Sequence, residues 1–253
     1  MQTVLITGTS SGYGRETAKH FLAQGWNVIA AMRTPRTDVL PEPDRLRILE
    51  LDVTDPDSIT TAFAAAGPID ALVNNAGVGL IGVFEGTPMD RAREIFDVNT
   101  FGVMATTQAV LPQFRERGAG VVVNVTSSVV LGHMPLSAIY KASKMAIEGF
   151  TASLALELAE FGVRAKTVQP GACLTTNFAA KAMNHVDLTG SLDRLVPAPY
   201  EPFAKKTLGG FVGQDQFTLE SDVAETVWRA VHDTTGQLRF PAGPDAVWLD
   251  QAR

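Results

Sequence analysis

Short apolar runs alternate with longer stretches of helical periodicity along almost the whole chain. That alternation restricts the fold more than any single motif does. "TVLIT" (3–7), "NVIAAM" (27–32), "RLRILEL" (45–51), "DALVNN" (70–75), "GVVVNVTS" (120–127) and "VRAKTVQP" (163–170) read as strands. Several are rich in β-branched residues and do not alternate strictly, as expected of strands covered on both faces. Helical patterns lie between them at about 13–24, 56–65, 88–117, 137–161 and 219–233, and "QLRFPAG" (237–243) suggests a last short strand. Strand, helix and strand in succession predict a parallel sheet with right-handed crossovers. The expectation is an α/β fold: one doubly wound domain over 1–253, with about seven parallel strands and helices on both faces.

Two stretches break this rhythm. Residues 34–44, "TPRTDVLPEPD", stand where a second long helix could have been. Residues 172–217 read as irregular, with Pro197, Pro199, Pro202 and Gly209-Gly210. A long, weakly periodic insertion in a compact domain is more often a lid or binding segment than a linker, so about 176–215 is read as a substrate lid. A composition of 45% hydrophobic and 19% charged residues suits a chain with a sizeable core.

The formal charge of -6 argues against a nucleic-acid partner, and no basic run offers a polybasic membrane patch. The single cysteine, Cys173, is compatible with a reducing compartment. "MQTVLITG" lacks the features of a signal peptide, and no apolar run has transmembrane length. A soluble, cytoplasmic protein is expected. The four histidines form no cluster with one another or with cysteine, so no metal is expected.

"TGTSSGYG" (7–14) places Gly8, Gly12 and Gly14 as G-x-x-x-G-x-G, which is not the G-x-G-x-x-G dinucleotide fingerprint. It still joins a strand to a helix N-terminus. There, exposed backbone N–H groups favour an anion and glycine lets one approach. Thr9, Ser10 and Ser11 add hydroxyl groups. Alone, such a polar turn needs no ligand.

At the end of the second strand, dinucleotide folds often carry an acid for the ribose hydroxyls. This chain has Met32 there, followed by Arg33. An arginine pairs with a ribose 2′-phosphate that a carboxylate would repel, which favours NADP over NAD. Arg36 is a second, weaker candidate, and an exposed loop arginine is the alternative to both.

"YKASK" puts Tyr140 and Lys144 four residues apart, on one face of a helix. An ammonium beside a phenol lowers its pKa from near 10 toward the range useful for proton exchange. By itself the pair could be incidental, but a strand ending "NVTSS" places Ser127 thirteen residues before Tyr140. Both would then stand at the carboxyl edge of the sheet, where open α/β folds bind ligands.

At this point the chain resembles the short-chain dehydrogenase/reductase family over almost its whole length. "TGTSSGYG" is similar to the family's T-G-x-x-x-G-x-G loop, "LDV" supplies Asp52 and Val53, and "NNAG" covers 74–77. "VNTFG" supplies Asn99, Ser127 precedes "YKASK", and "PGACLT" (170–175) is similar to P-G-x-x-x-T. The resemblance implies a Rossmann-type fold and a catalytic tetrad of Asn99, Ser127, Tyr140 and Lys144. Tyr140 would be the acid or base at the substrate oxygen and Ser127 its hydrogen-bonding neighbour. Lys144 would hold the nicotinamide ribose and depress the Tyr140 pKa, while Asn99 would help hold a proton-relay water. Ser128 competes with Ser127, which the spacing favours.

Cofactor contacts implied by the resemblance come from Gly8, Ser10, Ser11, Gly12, Tyr13 and Gly14 in the loop. Asp52 would hold the adenine amino group, beside Val53; Asn75, Ala76, Gly77, Pro170, Gly171 and Thr175 would also touch the cofactor, with Tyr140 and Lys144. The family usually has Ile or Leu where this chain has Tyr13. Its ring could pack in the same way and direct the hydroxyl to water or a phosphate.

The substrate wall is expected from Val129, His133, Met134 and Leu136, with Phe178 and Phe203 from the lid. The sequence resembles the steroid and retinol dehydrogenase-like branch, which implies a fairly apolar ketone, aldehyde or alcohol. The expected function is NADP(H)-dependent hydride transfer, chiefly carbonyl reduction. A non-catalytic NADP-sensing regulator on the same fold is the alternative, disfavoured because both Tyr140 and Lys144 are present. The resemblance implies a homodimer or homotetramer through helices carrying Ala105, Ala109, Ala152 and Ala155, the alternative being that these small residues pack only on their own sheet.

Overall fold

A computed structural model describes residues 1–41, 44–173, 176, 178, 195–212 and 217–252. Seven strands form its centre: β1 (Thr3–Thr7), β2 (Asn27–Met32), β3 (Leu46–Glu50), β4 (Ala71–Asn74), β5 (Gly120–Val125), β6 (Val163–Pro170) and β7 (Arg239–Ala242). They make one sheet in the order β3-β2-β1-β4-β5-β6-β7, and every adjacent pair is parallel. After β3 the chain returns to the middle and adds β4 beside β1. This reversal opens a crevice at the carboxyl ends of β1 and β4, the place where such sheets bind ligands.

Successive strand residues point to opposite faces, and here both faces are apolar. Val4, Ile6, Val28, Ala30 and Val73 pack with Ala18 and Phe21 of α1 (Gly12–Ala23) and Val223 and Val227 of α7 (Glu220–His232). On the other side, Leu5, Ile29, Leu72 and Val122 meet α2 (Pro56–Ala66), α4 (Val103–Arg117) and α5 (Ala138–Ala159) through Phe63, Phe114 and Leu154. Two covered faces explain why the strands read as continuous apolar runs.

A buried polar layer ties the centre of the sheet to α4 and α5. Asn74 donates to Asn124 and Thr107, both at 2.9 Å, and accepts from Thr106 at 2.8 Å. Asn124 donates in turn to Thr151 at 2.8 Å. Loss of one member would strand its buried partners, at about 1–3 kcal/mol per group. Asn74 of the "NNAG" stretch is therefore structural.

Three segments differ from the sequence expectation. The helix expected over 88–117 is α3 (Met89–Phe96), a π-helical segment at Asp97–Gly102 and then α4. At Gly102 the chain lies so close to Val53 that a Cβ would sit 2.8 Å from its Cγ2.

Within the supposedly irregular 172–217, residues Glu201–Val212 form helix α6. Pro202 is in its first turn, where no backbone donor is required, so it does not break the helix. A final helix, α8 (Pro244–Gln251), follows Gly243, whose φ of 90° turns the chain out of β7. Of the 176–215 lid, only Thr176, Phe178 and 195–212 are described; the rest of that segment, with Thr175, lies outside the described residues.

Candidate active site

The glycine loop is shaped by its contact with the end of β4. Gly8 has φ of +72°, and a Cβ there would lie 2.7 Å from Ala76 Cα; one on Gly14 would lie 2.4 Å from Asn75 Nδ2. The Asn75 amide donates to the carbonyls of Thr7 at 2.9 Å and Gly8 at 3.1 Å. Thr7 Oγ1 accepts from the backbone N–H groups of Asn75 at 3.0 Å and Ala76 at 2.9 Å. "TGTSSGYG" and "NNAG" are thus one bonded unit across the crevice.

Helix α1 begins at Gly12, and Ser11 at its N-cap makes no side-chain capping bond. Ser10 is exposed. The N-terminal N–H groups and two hydroxyls are therefore placed for an anion. A side chain on Gly8 or Gly14 would collide with backbone or Asn75, so the residues present fit the pyrophosphate of a dinucleotide.

Tyr13 departs from its expected role. Its hydroxyl donates to the carbonyl of Gly171 at 3.0 Å, and its ring packs against the core, so it is directed to neither water nor phosphate. Burial, with the neighbouring Cys173 and Tyr140 adding to it, holds that hydroxyl far above its ordinary pKa and keeps it a donor.

Arg33 is exposed and makes no hydrogen bond or ion pair among the described residues. Arg36 is paired with Asp38 through two bonds, 3.1 and 2.6 Å, which Arg33 lacks among the described residues. Asp52 Oδ1 accepts from Thr54 N at 2.9 Å and Thr54 Oγ1 at 2.7 Å. Partial burial pushes its carboxyl up, but the two Thr54 bonds and the charge of Arg33 outweigh this and bring it below the usual value. The Val53 side chain is buried against Gly102 and the core.

Asn99, Ser127, Tyr140 and Lys144 converge at the ends of β4 and β5. Asn99, wholly buried in the π segment, accepts from Val78 N at 2.9 Å. It donates to Val78 O at 2.8 Å and to Ser143 Oγ at 3.2 Å. A Cβ on Gly77 would lie 3.2 Å from Asn99 Oδ1 and 3.4 Å from Lys144 Nζ, so bare backbone passes directly over both. Lys144 is 4% exposed; its ammonium donates to Val125 O at 3.0 Å and lies 6.0 Å from the centre of the Tyr140 ring. Of the two serines, Ser127 is hydrogen-bonded to Tyr140.

The electrostatics correct one expectation. Burial pushes Tyr140 up to about 12, and the bond to Ser127 pulls it partly back. Burial also brings Lys144 down to about 8, opposed by the charge of Glu148. The influences on Tyr140 are burial and Ser127, and the anticipated depression by Lys144 is not among them. Tyr140 is therefore protonated across ordinary pH.

Glu148, one turn beyond Lys144, was not singled out from sequence. It is buried, and accepts from Thr126 Oγ1 at 2.6 Å, Gln169 Nε2 at 2.9 Å and Arg239 Nε at 3.2 Å. The available signal was a carboxylate at the same four-residue step that relates Tyr140 to Lys144.

On the substrate side, Phe178 faces Tyr140 with ring centres 5.8 Å apart, and Val129 and Met134 pack in the same cluster as Tyr140. Leu136, with φ of 62°, is turned into a separate cluster with Val83, Val196 and Ala204 of α6. His133 and Phe203 are exposed, Cys173 is buried, and Pro170 and Gly171 lead out of β6 beside Tyr13. Among the described residues no three metal-ligating side chains converge, and no helix is long and apolar enough to cross a membrane.

The family model described as "short chain dehydrogenase" matches residues 2–186. An uncharacterized oxidoreductase of Bacillus subtilis, YusZ, is 34% identical over 94% of this chain and 88% of its own length. Retinol dehydrogenase 8 of Bos taurus is 37% identical over 73% of this chain; the match spans 63% of the bovine protein. Among solved structures, a short-chain dehydrogenase from Streptomyces avermitilis superposes with a TM-score of 0.82, at 32% identity, covering 99% of this chain and 91% of the other. An actinorhodin polyketide ketoreductase with NADPH gives 0.78 at 28% identity, covering 95% of each chain. The fold, the bonded glycine loop and these likenesses agree: the chain belongs to the short-chain dehydrogenase family and is an oxidoreductase of CH–OH and C=O groups.

Proposed function

We propose that the protein reduces a fairly apolar ketone or aldehyde with NADPH, and oxidises the corresponding alcohol in reverse. The observation that carries this reading is the buried Tyr140 with the Lys144 ammonium 6.0 Å from its ring centre and buried Asn99 beside them, at the edge where the glycine loop opens. Bound NADP(H) supplies or accepts the hydride at the carbonyl carbon. Tyr140 gives its proton to the substrate oxygen. Ser127 hydrogen-bonds the same oxygen and steadies its developing charge. Lys144 holds the nicotinamide ribose, and Asn99 fixes the backbone at Val78 and the Ser143 hydroxyl around it.

Arg33 supports NADP(H) over NAD(H), since an exposed guanidinium with no hydrogen bond or ion pair among the described residues suits the extra phosphate. Asp52 has its second carboxylate oxygen for the adenine amino group. Gly8, Gly12, Gly14, Ser10, Ser11, Ala76, Gly77, Pro170 and Gly171 line the path between the two ends. The aromatic face of Phe178 over Tyr140 supports an apolar substrate, with α6 as part of the lid. Exposed Phe101, Met145 and Leu156 on the π segment and α5 support self-association as a dimer or tetramer.

The test is consumption of NADPH and NADH with a panel of apolar and polar ketones and aldehydes. Turnover of at least one apolar carbonyl, faster with NADPH, is expected. NADPH binding without turnover of any carbonyl would favour the sensor. Equal turnover with both cofactors would remove the phosphate assignment.

A further inference from the structure

The loop that leaves β6 is held more tightly than its irregular shape requires. All four polar backbone atoms of Gly171 and Ala172 are engaged by distant parts of the chain. Gly171 N donates to Ala242 O at 2.9 Å, and Gly171 O accepts from the Tyr13 hydroxyl at 3.0 Å. Ala172 N donates to Asp245 Oδ2 at 2.7 Å, and Ala172 O accepts from Thr218 N at 2.9 Å. Thr218 Oγ1 also donates to Asp245 Oδ1 at 2.5 Å and lies 3.2 Å from Ala242 O. The packing leaves no slack: a Cβ on Gly171 would fall 2.0 Å from Asp245 Oδ1 and 2.2 Å from Thr218 Oγ1.

Two of these partners are side chains from opposite ends of the sequence. Tyr13 belongs to α1, whose N-terminus faces the pyrophosphate position. Asp245 belongs to the first turn of α8. A backbone loop can satisfy its polar groups with water, so side-chain partners at both residues fix an orientation rather than merely a bond count. The loop they fix also lies beside the Tyr140 cluster.

We propose that Tyr13 and Asp245 are positioning residues that hold the Gly171–Ala172 peptide in the orientation that receives the nicotinamide end of the cofactor. Neither touches the reacting atoms; both act through the loop. This rests on the NADP(H) reading above. It also gives the tyrosine in the glycine loop a task that Ile or Leu cannot perform, because only a hydroxyl can reach Gly171 O as a donor.

The experiment measures affinity for two probes, NADPH and adenosine 2′,5′-bisphosphate, together with the unfolding midpoint. The second probe carries the adenosine and its phosphates but no nicotinamide. Tyr13→Phe keeps the ring and removes only the bond to Gly171; it is expected to weaken NADPH about three- to tenfold. Asp245→Ala removes a charge-assisted bond and is expected to weaken NADPH about tenfold or more. In both variants the bisphosphate should bind as to wild type, within about twofold.

Asp245→Asn should restore NADPH affinity. Its carbonyl can accept from Ala172 N while its amide donates to Thr218 Oγ1, which keeps its bond to Ala242 O. Unchanged NADPH affinity in Tyr13→Phe and Asp245→Ala overturns the proposal. Equal weakening of both probes overturns it too, since that is general loosening of the fold. Wild type that binds the bisphosphate but gains nothing from the nicotinamide half sinks the positioning role alone; wild type that binds neither probe nor NADH sinks the cofactor reading beneath it.

Discussion

The two ends of the cofactor crevice are built differently. At the catalytic end, Asn99 and Lys144 are buried and bonded to Val78, Ser143 and Val125, and bare glycine backbone lies over them. At the adenosine end, Arg33 is exposed with no hydrogen bond or ion pair among the described residues, and Asp52 keeps one oxygen free of the Thr54 bonds. On the proposed reading, the reaction depends on groups the fold itself must satisfy, whereas cofactor choice depends on side chains the fold can do without. Changes at the first end should cost stability and activity together; changes at the second should alter selectivity alone.

The largest expected effect is at Asn99. Asn99→Ala removes the side-chain partner of Val78 N and O and one of the two partners of Ser143 Oγ, and empties a wholly buried position, for about 2–4 kcal/mol of lost stability. The unfolding midpoint should fall by about 5–10 °C, with carbonyl reduction falling alongside it. A variant with lost turnover and an unshifted midpoint would break the link between structure and chemistry at this end.

Arg33→Ala should behave in the opposite way. A charge-assisted bond to phosphate is worth about 1.5–3 kcal/mol, so KM for NADPH should rise about 10- to 100-fold. KM for NADH and the unfolding midpoint should stay put. Parallel changes for both cofactors would show that Arg33 does not read the phosphate.

A smaller, graded effect is expected with pH. Lys144 has its pKa lowered to about 8, so it is charged below that value and loses its proton as pH rises through it. Tyr140, at about 12, stays protonated across this window. Reductive kcat/KM should therefore decline above about pH 8, and Glu148→Gln, which removes the upward pull on Lys144, should move that decline to lower pH. A limb that stays in place in Glu148→Gln would show that its charge is not felt at the site.

The same contrast bears on what could be read from the sequence. All seven strands were legible because burial of both sheet faces leaves short continuous apolar runs, and most of the helices between them because one buried face leaves a 3.6-residue apolar period. The π segment at 97–102 was not, since a widened turn keeps the apolar spacing of a continuous helix. Helix α6 was hidden by Pro202 and the Gly209-Gly210 pair, which pattern reading takes for breakers although the first turn of a helix accepts proline.

At the candidate site, the sequence put Tyr140, Lys144 and Ser127 at one sheet edge by their spacing, and the resemblance added Asn99 and the proposed roles. Their electrostatics were not legible, because desolvation depends on what the rest of the chain places around them. Asp245 left no local mark at all: its partners Ala172 and Thr218 are reached only after β7 has joined the sheet. Tyr13 showed as an oddity, but the destination of its hydroxyl, Gly171, lies 158 residues away.

The most direct test of the central claim is NADPH oxidation by Tyr140→Phe with a carbonyl that wild type reduces, read beside the Kd for NADPH. Removing the proton donor alone should lower kcat by about 10²–10⁴-fold and leave NADPH binding intact. Turnover within about threefold of wild type would contradict the assignment of Tyr140 as the acid, and with it the account of this site.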